Sequence, residues 1–343
     1  MATKISWATE TWNPITGCSP VSEGCANCYA ARMAKRLAGR YGYPEIEPFA
    51  VTFHDELSKP HQWKRPRMVF VCSMGDIFHP DVQDEWIARA LNVINDCHWH
   101  KFLILTKRPE RMEAFFKEFY AKMEHSCMRV ETPIKNLWLG TTAENQEQAE
   151  KRLPHLLRTP AVKRFVSCEP LLGPVDLEGV QFEHSHGFFG NALRWTHLPD
   201  CRRKELQNGA VYPKLDWVIA GGETGPGARP MHPEWVRSLR DQCVNADVPF
   251  HFKSWGEFGT ISKNLSTNEP VFRMFPDLQT WVNKGSTWVN GGICVDMAGM
   301  VLRNGGDFRQ AEYPVAILHK IGKNKAGRIV DGQEWDQFPE LLK

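Results

Sequence analysis

Residues 67–76 read Arg-Met-Val-Phe-Val-Cys-Ser-Met-Gly-Asp, an apolar run that stops in a small polar cluster. From Arg67 to Cys72 apolar and polar residues do not alternate, so the run predicts a strand buried on both faces rather than one facing water. The same pattern recurs along the chain. Phe102–Thr106, Asn136–Gly140, Val162–Ser167, Leu215–Ala220 and Val248–Phe252 are short apolar runs of the same kind. Between them lie amphipathic helical patterns at Gln83–Asp96, Pro109–Glu124, Asn145–Leu157 and Pro233–Ala246. Apolar strands alternating with such helices predict a parallel sheet covered by helices. Six repeats predict an α/β fold, a full or partial (β/α) TIM-like barrel.

Polar residues gather just after these strands: Ser73-Met74-Gly75-Asp76, Thr106-Lys107-Arg108, Thr141-Thr142-Ala143-Glu144, Glu169-Pro170 and Gly221-Gly222-Glu223, with Lys253 ending the sixth. Sites on parallel sheets form at the C-terminal ends of strands, so these clusters are the candidate site. The rhythm breaks twice. Residues 178–214 show no clear strand–helix unit and carry His184, His186, His197 and Cys201, an expected insertion with a single cysteine for any zinc. Residues 257–343 are rich in Gly, Asn and Trp and predict a C-terminal cap on a barrel spanning 1–256. The cap ends in a basic glycine loop, Gly322–Arg328, expected to be a solvated surface loop.

With 343 residues the chain suffices for one large barrel or two ordinary domains. A net charge of +2 argues against a globally basic nucleic-acid binder and leaves room for a local basic groove. No stretch approaches the ~18 apolar residues of a membrane span, so a cytoplasmic protein with no membrane partner is expected. Ten cysteines in such a setting should not form structural disulfides. Seven are scattered singly and read as small buried residues.

The other three are clustered. Thr16-Gly-Cys18-Ser-Pro-Val-Ser-Glu-Gly-Cys25-Ala-Asn-Cys28 has the spacing Cys-x6-Cys-x2-Cys and runs into a helical stretch, Ala30–Arg40. Three thiolates on one loop are a metal-ligand set. Zinc usually takes four protein ligands, and no fourth stands nearby in sequence. A [4Fe–4S] cluster with one iron left open is the preferred reading, with zinc as the alternative.

A three-cysteine loop in a barrel resembles the radical S-adenosylmethionine (SAM) enzymes, whose usual spacing is Cys-x3-Cys-x2-Cys. This chain keeps the second interval, lengthens the first, and has Asn27 where an aromatic residue commonly stands. A narrower resemblance covers about residues 5–180 and 215–338. Trp12–Cys18, Ser73–His79, Leu105–Pro109, Leu137–Gly140, Ser167–Gly173, Gly221–Gly225, Ala228–Met231 and Gly327–Gly332 resemble a family of phage and bacterial three-cysteine-motif proteins of unknown function. More distantly, the order of motifs is similar to spore photoproduct lyase, a radical SAM enzyme that repairs a thymine dimer in DNA.

These resemblances imply roles. Cys18, Cys25 and Cys28 would ligate the cluster, and SAM would occupy the open iron. Ser73 and Asp76 would hold the SAM ammonium, in place of the literal Gly221-Gly222-Glu223, which ends too late a strand. Thr106 and Lys107 would meet the SAM carboxylate or a substrate phosphate, and Thr141 and Glu144 the ribose. Glu169, Glu223, Arg229 and Lys253 would face substrate, and Cys168 would donate a hydrogen atom. Neighbouring strand residues point to opposite faces, so Cys168 and Glu169 are not both expected in one pocket. The implied function is reductive SAM cleavage to a 5′-deoxyadenosyl radical that modifies or repairs a nucleobase or nucleotide, possibly within DNA or RNA. An external electron donor is implied, as is the host cytoplasm if the chain is phage-borne. The alternative is a nucleic-acid-binding protein with a structural or sensing iron–sulfur or zinc site and no radical chemistry.

Overall fold

The computed structural model describes residues 5–54, 56–124, 132–183, 188–194, 196–197, 211–266 and 269–340. Cys127, His184, His186 and Cys201 lie outside the described residues. Two compact units divide the chain. The first comprises Met1–Thr142, Glu150–Ser167 and Gln181–Asp216, and the second Ala143–Ala149, Cys168–Val180 and Trp217–Lys343.

In chain order come β1 (Glu10–Trp12), β2 (Ile15–Thr16), α1 (Tyr29–Leu37), β3 (Thr52–Phe53), β4 (Met68–Val71), α2 (Asp84–Asp96), β5 (Lys101–Thr106), α3 (Pro109–Glu124), β6 (Leu137–Thr142), α4 (Gln146–Arg158) and β7 (Lys163–Cys168). Within the first unit β1, β4, β5, β6 and β7 pair in that order, every pair parallel. All five expected helices and all six expected strands are present within a few residues of their predicted bounds.

Burial explains the pattern. Val69, Phe70 and Val71 of β4 and Phe102, Leu103 and Ile104 of β5 are all buried, as strands covered on both faces require. α2 buries Ile87, Ala90, Leu91 and Ile94, an i, i+3, i+4, i+7 stripe. Asp84 and Glu85 in its first turn suit the positive end of the helix dipole. β1 is the strand that the sequence reading lacked. Its three residues, Glu-Thr-Trp, carry no apolar run, and its place comes from pairing Trp12 with Val71.

The 178–214 stretch contributes two short ribbons, β8 (Val180–Glu183) with β9 (Phe188–Gly190), and β10 (Thr196–His197) antiparallel to β11 (Val211–Tyr212). In the second unit β12 (Trp217–Ala220) and β13 (Phe250–Phe252) pair in parallel on either side of α5 (Pro233–Asn245) in the chain. Parallel strands alternating with helices thus recur in each unit, a mixed α/β architecture compatible with a partial barrel.

The C-terminal stretch is more regular than its composition suggests. β14 (Phe258–Gly259), β15 (Met274–Phe275), α6 (Leu278–Trp288), β16 (Ile293–Val295), β17 (Val301–Leu302), α7 (Gly305–Gln310) and β18 (Val315–Lys320) build an antiparallel sheet centred on β18. Phe275, Cys294, Leu302, Phe308, Val315 and Ile317 form its core. The basic glycine loop becomes a single helical turn, α8 (Lys323–Ala326), before the ribbon β19 (Ile329–Val330) and β20 (Gln333–Glu334). No helix among the described residues is long and apolar enough to cross a membrane.

Candidate functional site

The cysteine loop leaves β1 at the C-terminal edge of the first unit's sheet. Cys72 N–H donates to Trp12 O (2.8 Å), Gly17 N–H to Met74 O (3.0 Å) and Asp76 N–H to Gly17 O (3.3 Å). Gly17 and Gly75 form a parallel bridge. Gly17 has φ +93°, and a Cβ there would lie 2.1 Å from Ala50 O. The backbone thus closes over a position that only glycine can occupy, and Cys18 is the next residue. Gly17→Ala should lower stability by about 1–3 kcal/mol. Chemical denaturation measures this, and an unchanged midpoint would contradict the seat described here.

Cys25 ends a 3-10 turn, Glu23–Cys25, and Cys28 N–H donates to Cys25 O at 3.2 Å. Cys28 occupies the N-cap of α1. All three cysteines are partly exposed and free. Burial and the Asp76 charge push the Cys18 thiol up to about 11, against the pull of Arg108. As a free thiol Cys18 is therefore protonated at neutral pH, and a metal taking it as ligand must displace that proton.

Asp76 lies at the centre of the adjoining network. Its Oδ1 accepts from Phe78 N–H (3.0 Å) and the Thr106 hydroxyl (2.7 Å). Its Oδ2 accepts from Lys107 N–H (3.2 Å) and Arg108 Nη1 (3.0 Å). A carboxylate offers about four lone-pair sites, and all four are taken. Arg108 Nη1 also donates to Cys18 Sγ (3.3 Å), and Nη2 donates to Ser19 O (2.9 Å) and Ser19 Oγ (3.1 Å). Ser19 Oγ meets His79 Nε2 at 2.7 Å, while Asp81 N–H donates to His79 Nδ1 at 3.2 Å. That second bond makes Nδ1 the acceptor, so Nε2 carries the hydrogen and donates to Ser19. Burial and the Arg108 charge lower the His79 pKa, in keeping with a neutral ring.

The other expected residues of this unit stand nearby in the network or one step away. Ser73 Oγ donates to Asn13 Oδ1 (3.1 Å), which also accepts Met74 N–H. Thr141 Oγ1 donates to Thr106 O (2.8 Å). Lys107 Nζ and Arg152 Nη1 both donate to Thr142 Oγ1, at 2.9 and 2.8 Å.

In the second unit, Glu169 pairs with Lys253, and the two side chains are about one-fifth exposed. Glu223 is clasped by Arg229, whose Nη2 donates to Oε1 (2.7 Å) while Nε and the backbone N–H donate to Oε2 (2.9 and 2.7 Å). The glycines before Glu223 have a backbone duty: a Cβ on Gly222 would lie 2.1 Å from Trp255 O. Glu144 and Cys168 are fully buried. Burial and the Glu144 charge raise the Cys168 pKa, so it is a neutral S–H. The buried polar atoms with no hydrogen-bond partner among the described residues include Ser254 Oγ and Gln148 Oε1. Each such orphan costs about 1–3 kcal/mol unless water or a ligand satisfies it.

A family model described as a protein of unknown function, DUF5131, matches residues 2–339. The chain belongs to the DUF5131 family. No curated protein and no solved structure matches it. The family description attaches no chemistry to these residues.

In this DUF5131 chain the donor chemistry of the cysteine loop suits a soft metal centre. It holds three thiols, one receiving a guanidinium hydrogen bond and one at a helix N-terminus. Among the described residues no three His, Cys, Asp or Glu side chains surround a single cation position. The structure brings Asp76, Thr106 and the Lys107 amide to the cysteine loop, and separately joins Glu169 to Lys253 and Glu223 to Arg229. Asn13, Ser19, His79 and the full reach of Arg108 escaped the sequence reading. The signal for Arg108 was its place directly after Thr106-Lys107 in a strand-end cluster.

Proposed function

We propose that Cys18, Cys25 and Cys28 hold a [4Fe–4S] cluster and that the protein is a radical SAM enzyme on a partial (β/α) barrel, acting on a nucleobase or nucleotide, possibly within DNA or RNA. One observation carries the reading. The cysteine loop is locked onto the C-terminal ends of β4 and β5 by the Gly17–Gly75 bridge and the Arg108 fork. That edge of a parallel sheet is where α/β proteins bind ligands and do chemistry. Held by Cys18, Cys25 and Cys28, such a cluster would supply the one-electron reduction that cleaves SAM.

This chain's residues do the rest. Glycine packing fixes where Cys18 stands. Arg108 donates to the Cys18 sulfur and opposes the burial that raises its pKa. In the first unit Lys107 supplies a cation for a phosphate-bearing substrate, and Ser73, Thr106 and Thr141 supply polar groups toward SAM. An external donor provides the electron. Reconstituted anaerobically and reduced with dithionite, the protein should release 5′-deoxyadenosine from SAM. A filled cluster that releases none, with DNA, RNA and nucleosides present, sinks the proposal.

The saturated Asp76 carboxylate favours a second reading, a nucleic-acid-binding protein whose cluster is structural or sensing. To accept the SAM ammonium, Asp76 must give up one of its four present donors. Calorimetric titration separates the two: SAM binds the loaded protein in the first reading and not in the second.

A further inference from the structure

We infer that Arg108 is a positioning residue that tunes the metal centre through an N–H···S bond to Cys18, an inference that rests on the cluster reading above. Arg108 lies two residues beyond the end of β5 and points its guanidinium back to the cysteine loop, 90 residues away in sequence. Its side chain is 10% exposed, so water screens it little. One nitrogen, Nη1, touches both Cys18 Sγ (3.3 Å) and Asp76 Oδ2 (3.0 Å). The other, Nη2, is fixed on Ser19 O and Oγ. The planar fork is thus held by three residues, and it stays charged at any working pH. A rigid charged donor on a ligand sulfur is one of the means by which proteins set iron–sulfur potentials.

The signs follow from the charges. A positive group on the ligand sulfur stabilises the reduced, more negative cluster and raises its midpoint potential. Asp76 on the same nitrogen works the other way. Removing Arg108 withdraws the cation and leaves the Asp76 anion unopposed, which lowers the potential. Neutralising Asp76 alone raises it. Asp76 keeps its bonds from Phe78 N–H, Thr106 Oγ1 and Lys107 N–H when Arg108 is lost, so its carboxylate stays in place.

The test is a redox titration of reconstituted wild-type, Arg108→Met, Arg108→Lys and Asp76→Asn proteins, followed by electron paramagnetic resonance, with iron counted in each. At equal iron content, Arg108→Met should titrate at more negative potential than wild type. Asp76→Asn should titrate at more positive potential, and Arg108→Lys between Arg108→Met and wild type. A purely structural brace would leave loaded variants at the wild-type midpoint, and that result overturns the assignment. Should the variants not fold, wild-type protein made with isotopically labelled arginine decides. The reduced cluster should show a hyperfine coupling to arginine nitrogen, and its absence overturns the assignment. Wild-type protein that takes up no cluster overturns the cluster reading itself, and this inference with it.

Discussion

Replacing Cys18, Cys25 or Cys28 by alanine should abolish cluster binding and, with it, 5′-deoxyadenosine release, a fall of at least about 100-fold. The three need not lose stability equally. Cys18 lies between the glycine seat and the Arg108 fork, so Cys18→Ala removes the sulfur that Nη1 meets. Arg108 keeps Asp76 and both Ser19 oxygens, and the fork survives. Cys25 and Cys28 lie on turns closed by backbone bonds that alanine preserves. All three variants should therefore fold with near wild-type circular dichroism while losing iron. Cys97→Ala, at a buried cysteine away from the loop in sequence, is the control: it should keep its iron. Full iron in any of the three loop variants would remove that cysteine from the ligand set.

Acidification should weaken the fold well before the carboxylates titrate. His232 and His251 are fully buried, and burial lowers each from 6.5 to about 4. His232 is held neutral for a reason: its Nδ1 accepts Glu234 N–H at 3.1 Å and so caps α5. In the unfolded chain both return to about 6.5. Between those values the unfolded state binds protons that the folded state refuses. Stability is complete above about pH 6.5 and falls as pH drops toward 4. At roughly 1.4 kcal/mol per pKa unit, each histidine accounts for about 3 kcal/mol in full, and about 2 kcal/mol by pH 5.

A second loss follows at lower pH. Burial raises the Glu113 pKa, but hydrogen bonds from Arg158, Lys117 and His155 outweigh it and hold that pKa down at about 2. Its stabilising share is present above about 4.5 and disappears between there and 2. Urea midpoints should stay level from pH 7.5 to about 6.5 and fall from there to pH 5, and His232→Gln should flatten that slope. A flat wild-type profile over that range contradicts the assignment.

What was legible in the sequence had strong local signal. Phe102–Thr106 and Pro109–Glu124 announce a buried strand and an amphipathic helix with no help from the rest of the chain, and both formed. Glu10–Trp12 did not, because three half-polar residues become a strand only when β4 offers a partner. The C-terminal sheet stayed hidden for the same reason: β14, β15 and β17 have two residues each and exist through β18 and β16.

The site divides similarly. Asp76, Thr106 and Lys107 could be named because they sit at strand ends, where a periodic pattern stops. The Arg108 fork could not, since Cys18, Asp76 and Ser19 lie 90, 32 and 89 residues from it. Nor could the sequence show that Asp76 would spend its whole carboxylate on its own neighbours. That saturation is the feature that most complicates the carboxylate's expected role toward SAM.

The central claim is that the loop holding Cys18, Cys25 and Cys28 binds an iron–sulfur cluster. Iron, acid-labile sulfide and zinc counted on anaerobically purified and reconstituted wild-type protein, beside its visible spectrum, test this most directly. The account predicts iron and sulfide in equal amounts, about four of each per chain, with a broad band near about 400 nm that bleaches on reduction. One zinc per chain without sulfide, or no metal at all, would contradict it.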